Sequence, residues 1–169
     1  MSKAQAVSKA VTLDVDFQLA VSELEGADVL PSQQAMVQWA TAAYTAVAQL
    51  DDLPEHNEVT IRVVDTDEMV ALNRDYRAKD CPTNVLSFPA EIPAGVEMNL
   101  LGDIIICHDV IMAEAAQQNK KPHQHYAHMV AHGILHLCGY DHQNDDEANL
   151  MESLEVKILT LSGVPNPYT

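Results

Sequence analysis

The chain has 169 residues, with 9 Lys and Arg against 25 Asp and Glu, so its formal net charge is −16 with histidine counted as neutral. A chain of this length can form one domain whose core buries about 70% of the unfolded surface. The apolar content of 47% is typical of a globular protein. The net charge excludes a protein that adheres to nucleic acid or anionic lipid through a broad basic surface.

Several other classes are excluded by what the chain lacks. No apolar run approaches the roughly 20 residues that span a bilayer, and residues 1–17 lack the apolar core of a secretory signal. The cysteines at 81, 107 and 138 are odd in number and lack C-x-x-C spacing, which favours a reducing compartment. Glycine-rich loops of the dinucleotide-binding and P-loop types are also missing. We therefore expect a cytoplasmic protein without a membrane partner.

The first half of the chain predicts two strands separated by a helix. Alternating apolar and polar residues indicate the first strand, and β-branched residues indicate the second. Pro31 and Ser32 are typical of a helix start, and Pro54 is typical of a turn. The predicted elements are a strand at 11–17, a helix at 31–50, a turn at 51–57 and a strand at 59–64.

The second half predicts two further strands and four helices. Met69, Leu72 and Tyr76 form an apolar stripe along the first of these helices, which Asp65 or Thr66 caps. The apolar run at 101–107 predicts a strand buried on both faces. The predicted elements are a helix after residue 65, a loop at 79–84, strands at 85–88 and 101–107 joined by a connection, and helices at 108–118, 122–138 and 145–162.

This order, β-α-β-α-β-β-α-α-α, predicts an α/β (α+β) fold: a small mixed sheet of about four strands with helices packed on it. Residues 1–10 are small and polar and predict a flexible N-terminal tail. We therefore expect one domain that spans residues 11–169.

Three histidines carry the clearest chemical signal. His132 and His136 are four apart, which places them on one helix face about 6 Å apart. Gly139 suits the left-handed residue that ends a helix, so that the chain can turn and return His142 to the same ion. Three nitrogen ligands with an open fourth position are typical of catalytic zinc. The pattern predicts a site for one Zn²⁺ at the helix end and the loop that follows.

The chain has eight histidines, and an isolated histidine is more often a hydrogen-bonded surface or core residue than a ligand. We therefore restrict the metal prediction to the triple with the glycine break. His123 and His125 are expected to be solvated, and the role of His128 is left open. Cys138 lies on a different side of the helix and is expected to belong to the core.

Zinc held by three imidazoles lowers the pKa of bound water toward about 7 and polarises an attacked oxygen, so the site predicts hydrolytic chemistry. Zinc peptidases place a glutamate directly after the first histidine as general base, and this chain has Gly133 there. Peptide hydrolysis by that route is disfavoured. Asp141 either accepts a hydrogen bond from a ligand histidine or is an ordinary turn residue, and the sequence does not decide between the two.

The basic residues are concentrated in one segment. Arg62, Arg74, Arg77 and Lys79 supply four of the nine positive charges within eighteen positions. A guanidinium binds phosphate oxygens in bidentate fashion, whereas salt bridges are the alternative in an acidic protein. We expect salt bridges for Arg62 and Arg74, and the pattern leaves both alternatives open for Arg77.

Three blocks of sequence together resemble the YbeY endoribonuclease family, the bacterial rRNA maturation factors. They are the histidine segment HGILHLCGYDH at 132–142, YRAKDCPTNVLSFP at 76–89 and LLGDI at 100–104. The likeness covers about residues 58–168 and extends more weakly over the N-terminal strand and helix.

The resemblance implies a zinc-dependent, single-strand-specific endoribonuclease that acts in 16S rRNA 3′-end maturation and ribosome quality control. It implies His132, His136 and His142 as zinc ligands and Arg77 as a cleft arginine needed for activity, so Arg77 and His132 are the predicted catalytic residues. Lys79 is a further candidate for RNA binding. The implied partners are single-stranded rRNA precursor and the small ribosomal subunit or its proteins, with no DNA.

Two other function classes remain open at this point. One is a zinc hydrolase of another kind, such as a peptidase or amidase, against which Gly133 counts. The other is a non-catalytic ribosome-assembly factor whose zinc mainly holds the C-terminal segment. The open fourth ligand position argues against that class.

Overall fold

The elements follow the predicted order in the computed structural model, which describes residues 10–22 and 30–169. They are β1 (Thr12–Ala20), α1 (Gln33–Ala48), β2 (His56–Val64), α2 (Thr66–Arg77), β3 (Val85–Pro89), β4 (Leu100–Cys107), α3 (His108–Gln117), α4 (Pro122–Leu137) and α5 (Asp145–Leu161). The α+β class with a four-stranded mixed sheet is confirmed. The flexible tail expected at 1–10 lies, except for residue 10, outside the described residues.

The sheet has the order β1-β2-β4-β3. β1, β2 and β4 run parallel, and β3 pairs with β4 in the antiparallel direction. Parallel neighbours need a helical crossover, which α1 supplies between β1 and β2. β3 is an edge strand, so among the described residues its outer edge has no strand partner.

Helices cover the two faces of the sheet unequally. The larger core lies on the face that carries Ile104 and Ile106 of β4, and it includes residues of α1, α4 and α5. Since side chains alternate along a strand, Ile105 and Cys107 face the opposite side, where they pack with Met69 of α2 in a smaller cluster. α2 and α4 therefore lie on opposite faces of the sheet. Within the described parts of the chain, no helix is both long enough and apolar enough to cross a membrane.

The parallel strands β1 and β2 are longer than their patterns predict. β1 continues to Ala20, and β2 begins at His56, inside the segment predicted as a turn. The ladder between them is continuous from Thr12 opposite His56 to Ala20 opposite Val64. Pairing with a neighbour satisfies the backbone groups of residues whose side chains give no strand signal.

The predicted apolar stripe on α2 is only partly right. Met69 is fully buried, but Tyr76 is 67% exposed. The ring of Tyr76 contacts Phe88 of β3, with ring centroids 4.9 Å apart. The helix ends at Arg77, beside edge strand β3, so its last turn has no further strand to cover.

The strand at 101–107 is confirmed as β4, and its predicted burial on both faces holds for its second half. Ile104, Ile105, Ile106 and Cys107 are all buried. Asp103 is exposed, because α2 does not cover that part of the outer face. The outer face of the sheet is therefore apolar at one end and polar at the other.

Candidate active site

α4 carries the first two histidines and lies very close to the sheet. A Cβ added at Gly133 would come within 2.9 to 3.1 Å of three atoms of Ile104 in β4. This contact fixes the helix against the sheet and leaves His132 and His136 half-buried at its surface. Their ring centroids are 4.7 Å apart. The predicted common helix face is confirmed.

The end of α4 returns the chain to these histidines. The N–H of Gly139 donates to the carbonyl of His136, and the N–H of Tyr140 donates to the carbonyl of Leu135. This paired pattern ends a helix around a residue with positive φ, here Gly139 at +101°. The turn brings the ring of His142 to centroid distances of 5.8 Å from His132 and 5.2 Å from His136.

The three rings offer nitrogen atoms that all lie within 4.8 Å of one another. Nitrogens bound to one zinc ion at about 2.1 Å lie at most about 4.2 Å apart, so small ring rotations bring all three into range. Burial, followed by the neighbouring rings of His132 and His142, lowers the pKa of His136. The lowered pKa favours the neutral imidazole that metal binding requires. The cluster fits a metal ion with three imidazole ligands.

A buried glutamate orients one of these rings. Glu155 of α5 is 1% exposed, and its Oε1 lies 2.6 Å from Nδ1 of His132. Its Oε2 lies 3.0 Å from Nε2 of His128 and accepts a hydrogen bond from the hydroxyl of Tyr168. A carboxylate at Nδ1 holds the proton there, which leaves Nε2 of His132 free to bind a cation.

The same contacts determine the charge of Glu155. Burial alone would raise the pKa of this carboxyl, but hydrogen bonds from His128 and His132 outweigh it and lower the pKa to about 2. The group is therefore an anion at neutral pH, and a buried anion needs the partners it has here.

Sequence reasoning missed Glu155, although a signal was present. It lies on the apolar face of α5 beside Leu154, four residues after Met151 and three before Ile158, and these neighbours are all buried. An acidic residue on a buried helix face requires a polar partner inside the protein. In a chain with three clustered histidines, the buried partner of such a carboxylate is a candidate metal ligand.

The other histidines of α4 differ in their surroundings. His123 is exposed, as predicted, but the expectation that His125 is solvated is wrong. His125 is 3% exposed, and its Nε2 lies 2.9 Å from Glu114 of α3. Burial lowers its pKa. His128 contacts Glu155 rather than joining the ligand cluster. Cys138 packs against the core, where burial raises its pKa to about 12.

A cleft of about 450 Å³ opens in front of the histidine cluster. Residues 83–88, which include most of β3, form one side, and the histidine cluster and Asp141 form another. Arg77, the last residue of α2, lines the same cleft. Lys79 is exposed and is not among the lining residues, so the structure brings together Arg77 and the histidines but not Lys79.

The three arginines of the chain differ in their partners. Arg62 binds Glu68 at 2.7 Å, and Arg74 lies 3.6 Å from Asp75 and 3.9 Å from Asp80, as predicted. Among the described residues, no carboxylate lies within ion-pair distance of Arg77. An unpaired guanidinium in a cleft is available for an anionic ligand.

Asp141 lines the cleft but does not contact a histidine ring through a hydrogen bond in the described structure. Its Oδ1 accepts from the backbone N–H of His142 at 2.8 Å. This bond is typical of a turn aspartate and supports the loop that carries His142. The carboxylate that orients a ligand ring is that of Glu155.

A second concave region lies on the uncovered part of the outer sheet face. This acidic groove, of about 580 Å³, is lined by Asp14, Asp16, Glu58 and Asp103. His56 lies 3.2 Å from Asp14 and forms with it and Glu58 a second group of possible ligands, all exposed. Among the described residues, no lysine or arginine lines this groove.

Two comparisons with known proteins agree with this architecture. The solution structure of TM1509 from Thermotoga maritima is similar to this chain, with a TM-score of 0.51 and 22% identity over 87% of this chain and 91% of that chain. At that identity, the likeness shows the fold alone. The family model described as Endoribonuclease YbeY matches residues 23–163, which is most of the chain. The chain therefore belongs to the YbeY endoribonuclease family.

Proposed function

We propose that this protein is a zinc-dependent, single-strand-specific endoribonuclease that acts in the cytoplasm in 16S rRNA 3′-end maturation and ribosome quality control. Membership of the family makes it an endoribonuclease of rRNA maturation. The observation that carries the finer proposal is that Arg77, which forms no ion pair with the described residues, and three converging histidines line one cleft.

His132, His136 and His142 would hold the zinc ion. Among the described residues no fourth ligand joins the three imidazoles, and such a set leaves a position open for a substrate or water oxygen. When bound, a zinc ion would lower the pKa of a water molecule and act as a Lewis acid toward a phosphoryl oxygen. Glu155 accepts from Nδ1 of His132, which would leave Nε2 of that ring available to hold the ion.

Arg77, which lines the same cleft, binds the scissile phosphodiester. Its guanidinium donates to the non-bridging phosphoryl oxygens, on which negative charge develops as the attacking oxygen adds. Because no carboxylate of the described residues forms an ion pair with Arg77, its positive charge is available to the phosphate.

The attacking oxygen comes either from water or from the ribose 2′-hydroxyl. Attack by the 2′-hydroxyl leaves a 2′,3′-cyclic phosphate on one product, whereas attack by water leaves a phosphate monoester beside a free hydroxyl. Analysis of the product ends by mass spectrometry therefore separates the two routes.

The charge distribution supports a role for a ribosomal partner in targeting. Arg77 is the one Lys or Arg among the described residues that line the cleft, so few phosphates can be neutralised there. RNA binding is expected to be weak and local. Contact with the small ribosomal subunit or its proteins would supply the remaining affinity.

The proposal is tested with purified protein on single-stranded and duplex RNA of the same sequence, with and without a chelator. We expect cleavage of the single strand alone, its loss on chelation and its return with added zinc. Cleavage that survives both chelation and His132→Ala would assign the activity to a contaminating nuclease and favour the non-catalytic assembly factor. Cleavage of a peptide library would favour the alternative hydrolase.

A further inference from the structure

Two aromatic rings extend the cleft at its arginine end. Tyr76 precedes Arg77 in the last turn of α2, and its ring lies against Phe88, with centroids 4.9 Å apart and an angle of 53° between the planes. Phe88 is half-buried and lines the cleft itself. We call Tyr76 and Phe88 the aromatic pair.

The position of Tyr76 beside edge strand β3 leaves most of its ring uncovered by the described part of the protein. Its side chain is 67% exposed although its neighbour Phe88 covers part of one side. No hydrogen bond of its hydroxyl is found among the described residues. A tyrosine in the core or at a helix contact would bury most of its ring. The free ring surface is therefore available to a planar ligand.

The charges around the aromatic pair limit how an RNA strand can be held. Arg77 is the one Lys or Arg that lines the cleft among the described residues, so Lys and Arg side chains neutralise few phosphates there. On the other side, Phe88 pairs across the strands with Asp103, which lines the acidic groove. Phosphates that pass beyond Phe88 meet negative charge. The favourable path is short, and uncharged contacts must supply much of the binding.

We propose that the aromatic pair is a stacking site for one unpaired nucleobase of the RNA substrate, adjacent to the phosphate held by Arg77. This inference rests on the proposed function, because it assigns a contact for the same substrate. A base can stack on a protein ring only when it is not paired with a base of a second strand inside a duplex. Stacking here would give a physical basis for the choice of single-stranded over duplex RNA.

The test asks whether removing the Tyr76 ring and removing one substrate base have independent effects on KM. Zinc-loaded wild-type protein and Tyr76→Ala are compared on a short single-stranded RNA and on versions with one abasic nucleotide at each position around the cleavage site. We expect Tyr76→Ala to raise KM about tenfold with little change in kcat. At one position, the abasic substitution should raise KM about tenfold for the wild type and less than twofold for the variant.

Two further variants separate stacking from a structural effect. Tyr76→Phe keeps the ring and should retain wild-type KM. Leu161→Ala removes a side chain of similar exposure, 74%, on α5 and should change neither constant. Thermal unfolding of each variant checks that the fold is intact, which an exposed position should allow.

The outcomes are distinguishable from those of the proposed function. Unchanged KM in Tyr76→Ala, or equal losses at every abasic position in both proteins, would overturn the stacking site while leaving the nuclease assignment in place. If the wild type does not cleave RNA, the proposed function fails. Fluorescence anisotropy of the same labelled RNAs then tests the stacking site by binding, and equal affinity for intact and abasic RNA would overturn it.

Discussion

The cleft and the acidic groove are two concave regions of similar size with opposite charge. The cleft, of about 450 Å³, has one arginine, which forms no ion pair with the described residues, and three histidines that can bind a cation. The groove, of about 580 Å³, has carboxylates from three strands of the sheet. The larger concavity is thus the one that repels phosphate, so size alone does not identify the site of an RNA enzyme.

The contrast also explains how a chain with net charge −16 can act on RNA. Negative charge over most of the surface opposes non-specific binding. A cation in the histidine cluster would add two positive charges beside Arg77, in the one place where a phosphate is needed. Four predictions test this contrast, from the largest expected effect to the smallest.

Removal of a cluster histidine should have the largest effect. We expect His136→Ala to lose zinc and to slow RNA cleavage at least about a thousandfold, because the cation that activates the attacking oxygen is no longer held. Metal content by mass spectrometry and single-turnover cleavage measure the two losses. His56→Ala, a histidine of the acidic groove, is the matched control and should change neither. Equal losses in the two variants would mean that the groove also belongs to the site.

Arg77→Ala should lower kcat by about a hundredfold to a thousandfold while zinc content stays at the wild-type level. The guanidinium is expected to contact the phosphoryl oxygens and not the metal ligands. Arg74→Ala provides the control, because Arg74 lies near Asp75 and Asp80 and is absent from the cleft lining. Cleavage by Arg77→Ala at the wild-type rate would refute the assignment of Arg77.

Glu155→Gln should weaken zinc binding about 10- to 100-fold, because the neutral amide no longer holds the Nδ1 proton of His132 as strongly. Competition with a chromogenic chelator measures this affinity. Glu152→Gln, an exposed change one turn earlier on α5, should leave the affinity unchanged. The same affinity in all three proteins would show that Glu155 serves only the packing of α5.

Charge reversal in the acidic groove should have the smallest effect on the reaction. Asp16→Lys combined with Asp103→Lys is expected to add non-specific RNA binding whose salt dependence steepens by about 1.4 for two added cations. The kcat at the cleft should not change. Anisotropy titrations with single-stranded RNA at several salt concentrations measure the slope. No added binding would mean that repulsion by the groove does not direct RNA to the cleft.

The sequence predicts the fold and the ligand cluster well, because both depend on local pattern. The spacing of His132 and His136 predicts their common face, and Gly139 predicts the turn that returns His142. Every predicted element appears in the structure, with boundaries that shift by a few residues. Arg77 could be placed near the cleft only through the family resemblance, because its approach depends on the packing of α2 against the sheet.

The features that sequence reasoning missed depend on contacts between distant segments. Glu155 reaches His132 across a helix interface, and His125 is buried by its contact with Glu114 of α3. Tyr76 follows the apolar period of α2 but lies beside edge strand β3, where no further strand covers it. Periodicity describes one element at a time and carries no information about where its neighbour ends.

The close contact between α4 and β4 has a consequence for how this site could evolve. Gly133 occupies the position where zinc peptidases carry their glutamate, and its space is filled by Ile104, which is fully buried. A carboxylate introduced there would enter the core and push the helix away from the sheet, together with the ligands on either side of it. A substitution at this position is therefore expected to disturb the packing of α4 on β4 rather than to add a general base. A change of reaction would require the helix and the strand beneath it to be rebuilt together.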